Sequence, residues 1–241
     1  MRDVTVKRIG PLIEFAYLDY SNARSQLSSP SHFSTVEGLR SALSKSNLSD
    51  FQIETALSPK DFEFMRGFQT EAETEDLRWM TFCKRLENAA ARAGHGSLFA
   101  KALTGTVEEM TSNVAEHSER SGTGIVAYRW SRSEFEYVVA DSGIGVLRSL
   151  KKNAYYSNLT NSGQALETAV QQGESRHGHN VGRGLGFCDL LKNIANRNSY
   201  LRFHSGDYAL AIDGTQAPII WRLVRCQSLD GLVVSVVSKT N

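Results

Sequence analysis

The sequence is short of cysteine, of long apolar runs and of net charge, and each shortage removes a class of protein. Only three cysteines occur in 241 residues, Cys83, Cys188 and Cys226, an odd number with no C-x-x-C pair. That argues against a disulfide scaffold or a four-cysteine zinc site and suits reduced thiols. No apolar stretch approaches the ~18 residues of a membrane span. The opening MRDVTVKRIGPLIEFAYLDY lacks the apolar core of a secretory signal. A cytoplasmic protein without a membrane attachment is therefore expected. The 27 basic and 26 acidic residues leave a net charge of +1, so no bulk field draws the chain to nucleic acid. What is present is enough apolar residue, 41%, for one large or two modest globular domains.

Pattern divides the chain. Residues 4–9 and 12–18 read as two short strands around Gly10-Pro11, and 21–34, rich in serine, as a loop. A helix is expected at 35–43, a strand at 51–57, and another helix opening at Ser58-Pro59. Residues 1–75 thus read as a small α/β subdomain of unassigned role, and 76–241 as the main domain. There, helical spacing predicts helices at 75–93, stopped by Gly94-His95-Gly96, and at 97–117. Strands are expected at 124–130 and 135–140, a short helix at 147–152, then a polar stretch at 153–181. A helix from about 183 to 196 and strands at 200–204, 208–212, 219–225 and 232–237 follow. Long helices with a largely antiparallel set of strands predict an α/β sandwich, one sheet with helices on one face.

Three elements carry chemistry. In the helix 97–117, Leu103, Val107, Met110 and Val114 form an apolar stripe, and Glu109, Asn113 and His117 recur every four residues beside it. A carboxylate, an amide and an imidazole in a row either need partners at a site or form an ordinary solvent face. The run Tyr137-Val138-Val139-Ala140 ends in Asp141-Ser142-Gly143-Ile144-Gly145. An aspartate at a strand end can accept from an exocyclic amine, and the glycines let the backbone pass close; a plain Asp-Ser-Gly turn has the same composition. Gly182-Arg183-Gly184-Leu185-Gly186 leads into the helix that follows, where unpaired N–H groups suit a phosphate. It is neither a Rossmann fingerprint nor a P-loop, since no strand precedes it and no Gly-Lys-Ser/Thr follows.

In this order, E-x-x-x-N-x-x-x-H, D-x-G-x-G and G-x-G-L-G-F resemble the GHKL superfamily of gyrase, the ninety-kilodalton heat-shock chaperones, histidine kinases and MutL. The resemblance covers about residues 75–237 and implies a Bergerat-type ATP-binding fold with a mixed, largely antiparallel sheet. It implies ATP and Mg²⁺ as cofactors, with Asn113 as the metal ligand and Glu109 polarising the attacking nucleophile. Glu108 is off the Asn113 face. His117 would lie against the nucleoside and Asp141 would take the adenine amino group. Gly143 and Gly145 would let the adenine-side backbone close in. Gly182, Gly184 and Gly186, with Leu185 between the last two, would form the phosphate loop, beneath a lid of residues 153–181. Arg183 reads equally as a phosphate contact or an exposed first-turn arginine. The cluster Arg176, His177 and His179 reads as zinc-binding or as solvated or phosphate-facing lid residues.

Function then depends on what surrounds the pocket. None of the six histidines stands in a phosphoacceptor context: His32 precedes Phe-Ser, and His117 lies on the pocket helix. Gyrase and MutL need a further domain, for which few residues follow Val237. The nearest likeness is to small stand-alone bacterial serine kinases of the anti-sigma type. The expectation is an ATP-dependent regulator that phosphorylates a hydroxyl of a partner protein. The alternatives are a nucleotide-controlled binding switch and a histidine-kinase catalytic domain acting on another chain. No nucleic acid partner is expected; a homodimer is left open.

Overall fold

The computed structural model describes residues 8–21, 52–54, 62–66, 77–170 and 198–240. Among the described residues six strands, β1 (Gln52–Glu54), β2 (Phe62–Arg66), β3 (Ile125–Trp130), β4 (Glu134–Asp141), β5 (Ser199–Asp213) and β6 (Ile220–Lys239), form one sheet. Their order is β1-β2-β3-β4-β6-β5 and every pairing is antiparallel. The mixed sheet expected from the resemblance is therefore corrected: among the described residues no parallel pair occurs. The helices are α1 (Ile9–Ser21), α2 (Leu77–Arg92), α3 (Ser97–His117), α4 (Gly145–Leu150) and α5 (Ser162–Val170).

β4 is buried along all but its first residue, because apolar residues face both ways and both faces are covered. On one face Tyr137 and Val139 join Val126, Val234, Val236 and Phe203 beneath α2 and α3. Helix α2 contributes Trp79, Phe82, Leu86 and Ala90, and α3 contributes Leu103, Val107, Met110 and Val114. These are the i, i+3, i+4 stripes read from the sequence. On the other face Val138, Ala140, Ile125 and Ala127 meet Ile9, Ile13 and Tyr17 of α1. Helices on one face alone was the expectation, and α1 corrects it.

Helix α1 replaces the strand expected at 12–18 and takes in Ile9, the last residue of the strand expected at 4–9. Ile9, Ile13 and Tyr17 are spaced four apart, and Pro11 sits in the first turn, where its missing N–H costs nothing. The cap comes from far away. Glu136 of β4, 1% exposed, accepts from Ile9 N–H at 3.0 Å and Gly10 N–H at 2.7 Å. No local capping residue announces this helix. Residues 1–75 thus contribute β1 and β2 to the same sheet, and α1 to the same core, as residues 125–239. The helix expected at 35–43 and the opening at Ser58-Pro59 lie outside the described residues.

Four expected C-terminal strands are two long ones. β5 and β6 stay paired across the register shifts at Gly206. A fifteen-residue strand drawn straight would span about 50 Å, yet Gly214 N–H donates to Ser199 O at 2.9 Å. The hairpin therefore doubles back on itself. Part of the stretch expected as a polar lid is also folded: residues 154–156 make a 3-10 turn, and α5 buries Ala165, Leu166 and Val170. Residues 171–181 lie outside the described residues.

Candidate functional site

Helix α3 runs over the bounds expected, Ser97–His117, and its polar edge is where the spacing places it. Glu109, Asn113 and His117 are all half-buried, while Met110 and Val114 between them are in the core. Each step of four residues advances about 6 Å along the axis. Glu108 is exposed and turns toward α2, where it meets Cys83, a thiol pushed up mainly by burial.

The C-terminus of α3 meets the Asp141 turn. Ile144 N–H donates to Ser118 O at 2.9 Å. A Cβ at Gly143 would lie 2.1 Å from that same oxygen, so only glycine lets the turn pass the helix end. The helical box and the strand-end box, separate in sequence, thus share one corner of the molecule. Gly145 opens α4 with its Cα packed toward Ser205 and Gly231, where a Cβ would meet Ser205 Oγ at 2.9 Å.

Asp141, at this corner, is a charged residue almost wholly enclosed, 1% exposed. Its Oδ1 accepts from Gly143 N–H at 2.6 Å. Among the described residues its other carboxylate oxygen has no hydrogen-bond partner. Burial pushes this carboxyl up to about 7, with the Gly143 N–H pulling the other way. A buried carboxyl raised in this way at a strand end makes Asp141 a candidate ligand group.

Residues that sequence reasoning missed hold the turn in place. Thr123 Oγ1 accepts from Ser142 N–H at 2.9 Å, and Ser205 Oγ accepts from Val146 N–H at 3.0 Å while donating to Gly231 O at 2.6 Å. Gly231, at φ +77°, lies so close to Asp141 that a Cβ would fall 2.0 Å from its carbonyl oxygen. The Asp230-Gly231 pair was the available signal, as a turn dipeptide inside a strand pattern.

The third box, Gly182, Arg183, Gly184, Leu185 and Gly186, lies outside the described residues, as do Arg176, His177 and His179 and the helix expected to 196. Among the described residues no group of three or more His, Cys, Asp or Glu side chains is suited to hold a metal ion, and no helix is long and apolar enough to cross a membrane. No family model, no curated protein and no solved structure matches the chain.

Proposed function

We propose that the chain is a Mg·ATP-binding regulatory module of the GHKL kind, acting on a hydroxyl of a partner protein. The observation that carries this is the buried, half-satisfied Asp141 carboxylate at the end of β4, seated against the C-terminus of the helix that bears Glu109 and Asn113. The order along α3 from that corner is His117, Asn113, Glu109, which is the order of nucleoside, metal and transferred phosphate in ATP.

The residues fit the ligands they would hold. Asp141 would accept from the adenine amino group with the oxygen that Gly143 leaves free. His117 would flank the nucleoside. Asn113 supplies an amide oxygen, a hard donor of the type Mg²⁺ takes alongside water and phosphate oxygens. Mg·ATP supplies the transferable phosphoryl group. Glu109, one turn further on, would orient and deprotonate the attacking hydroxyl. The phosphate loop is assigned to Gly182–Gly186 on the sequence motif.

Incubation of the chain with γ-labelled ATP and the proteins that co-purify with it tests this reading. Acid-stable label on a partner is the expected result, and Glu109→Ala should lower transfer by roughly 10²–10⁴-fold while leaving ATP binding intact. Acid-labile label would move the assignment to a histidine kinase acting in trans. Binding without label would leave the nucleotide-controlled switch.

A further inference from the structure

The β5–β6 hairpin encloses a cavity on the α1 face of the sheet. Near its open end Tyr200 pairs with Val237 and Arg202 with Ser235; near its turn Ala211 pairs with Arg222 and Asp213 with Ile220. Alternate residues of a strand share a face, so each set of four points to one side. Because the hairpin doubles back, with Gly214 N–H on Ser199 O, the two sets line a single space of about 350 Å³. Arg8, just before α1, and Pro11 in its first turn add to the lining. That volume is within the range of small-molecule sites.

The walls are of two kinds. Pro11, Ala211, Ile220 and Val237 are apolar, whereas Arg8, Arg202 and Arg222 bring three guanidinium groups. Arg202 is held in place by Glu14 of α1. Burial pushes Glu14 up, but its bonds to Arg202 and His204 outweigh this and hold it at about 2, so it is an ionised acceptor. It takes Arg202 Nε and Nη2 and His204 Nδ1, each at 2.7 Å. A guanidinium fixed in this way loses little freedom when it meets a ligand.

Donors remain for such a ligand. A guanidinium has five N–H groups; among the described residues Arg8 gives one to Glu134, and Arg202 gives two to Glu14 and also meets the Cys226 sulfur. Arg222 is exposed. The two carboxylates of the lining are engaged: Glu136 by the α1 N–H groups and Arg129, and Asp213 by Thr215 and Gln216. Each arginine thus has a carboxylate for a neighbour, Glu134 at Arg8, Glu14 at Arg202 and Asp213 at Arg222, and no large positive excess is left. Donors with little net field suit a singly charged, planar carboxylate, which a guanidinium grips with two parallel bonds, better than a doubly charged phosphate.

We propose that this cavity binds a small organic monocarboxylate, with the charged end held by Arg8, Arg202 and Arg222 and the apolar body against Ala211, Ile220 and Val237. The site lies on the face of the sheet away from α3 and does not depend on the nucleotide reading.

The test titrates the methyl-labelled full-length chain with benzoate and follows its methyl resonances by NMR. Benzoate should shift those of Ala211, Ile220 and Val237 saturably and leave those of Val107 and Val114 on α3 in place. Benzamide, which has the same shape without the charge, should bind at least about tenfold more weakly, as expected for losing a charge-assisted hydrogen bond. Inorganic phosphate, an anion without an apolar body, should also bind more weakly than benzoate. Arg222→Gln, on an exposed residue where folding is not at stake, should weaken benzoate by about tenfold and leave benzamide unchanged. The proposal is overturned if benzoate gives no saturable shift at these residues, if benzamide or phosphate binds as tightly, or if Arg222→Gln leaves benzoate affinity as it was.

Discussion

At the scale of single residues, Asp141 carries the most weight. Its carboxyl is raised from an ordinary 3.8 to about 7 by burial, so folding opposes its ionisation. The stability penalty is absent below about pH 4, grows as pH rises and is complete above about 7. Asp141→Asn should therefore stabilise the fold, by as much as about 4 kcal/mol at pH 8 and by little at pH 4, read from urea midpoints at both values. The same variant should weaken ATP binding: the amide oxygen is taken by Gly143 N–H, which turns the amide NH2 toward the adenine amino group, donor against donor. A gain in stability with a loss of binding is the signature of a ligand group; a loss of both would make Asp141 a structural residue. In the wild type, ATP affinity should fall as pH drops below about 7. Asn113 allows a companion test. It lies beside the apolar stripe and outside it, so Asn113→Ala should keep its melting temperature and lose the Mg²⁺ dependence of binding, as checked by thermal melts and by titration with and without the metal.

At the scale of elements, what was legible followed from local pattern. The α3 bounds agree to the residue, and β3 and β4 agree within one, because periodic apolar stripes and alternating runs are local signals. What was not legible depended on partners distant in sequence. The N-terminus of α1 is closed by a carboxylate 126 residues away. Glu136→Ala should leave those N–H groups without their acceptor, while Arg129 keeps Glu134, and cost on the order of 2–3 kcal/mol, visible as a lower urea midpoint. An unchanged midpoint would mean that α1 holds by its apolar face alone. Helix α5 was missed for another reason. Asn161, whose Oδ1 accepts from Gln164 N–H at 2.9 Å, is an ordinary helix cap, but it sits in a run whose polarity reads as loop.

At the scale of the molecule, the sheet separates two chemistries. Its α3 face bears the Asp141 corner and its α1 face the arginine-lined cavity. The first was readable because its residues fall into spaced boxes along single elements. The second was not, since Arg8 and Arg222 come from opposite ends of the chain and nothing local links them. The same division explains the β5–β6 hairpin: the break at Gly206 looked like the end of a strand, whereas pairing continues through it. The central claim is that the α3 face binds ATP through Asp141 and Mg²⁺. Titration calorimetry of the full-length chain with ATP, and with GTP, in the presence and absence of Mg²⁺ tests it most directly. ATP should bind in a Mg²⁺-dependent manner and GTP should bind more weakly by about 1–3 kcal/mol, since GTP presents a carbonyl where Asp141 needs a donor. Equal affinity for the two nucleotides, or no heat with ATP and Mg²⁺, would contradict it.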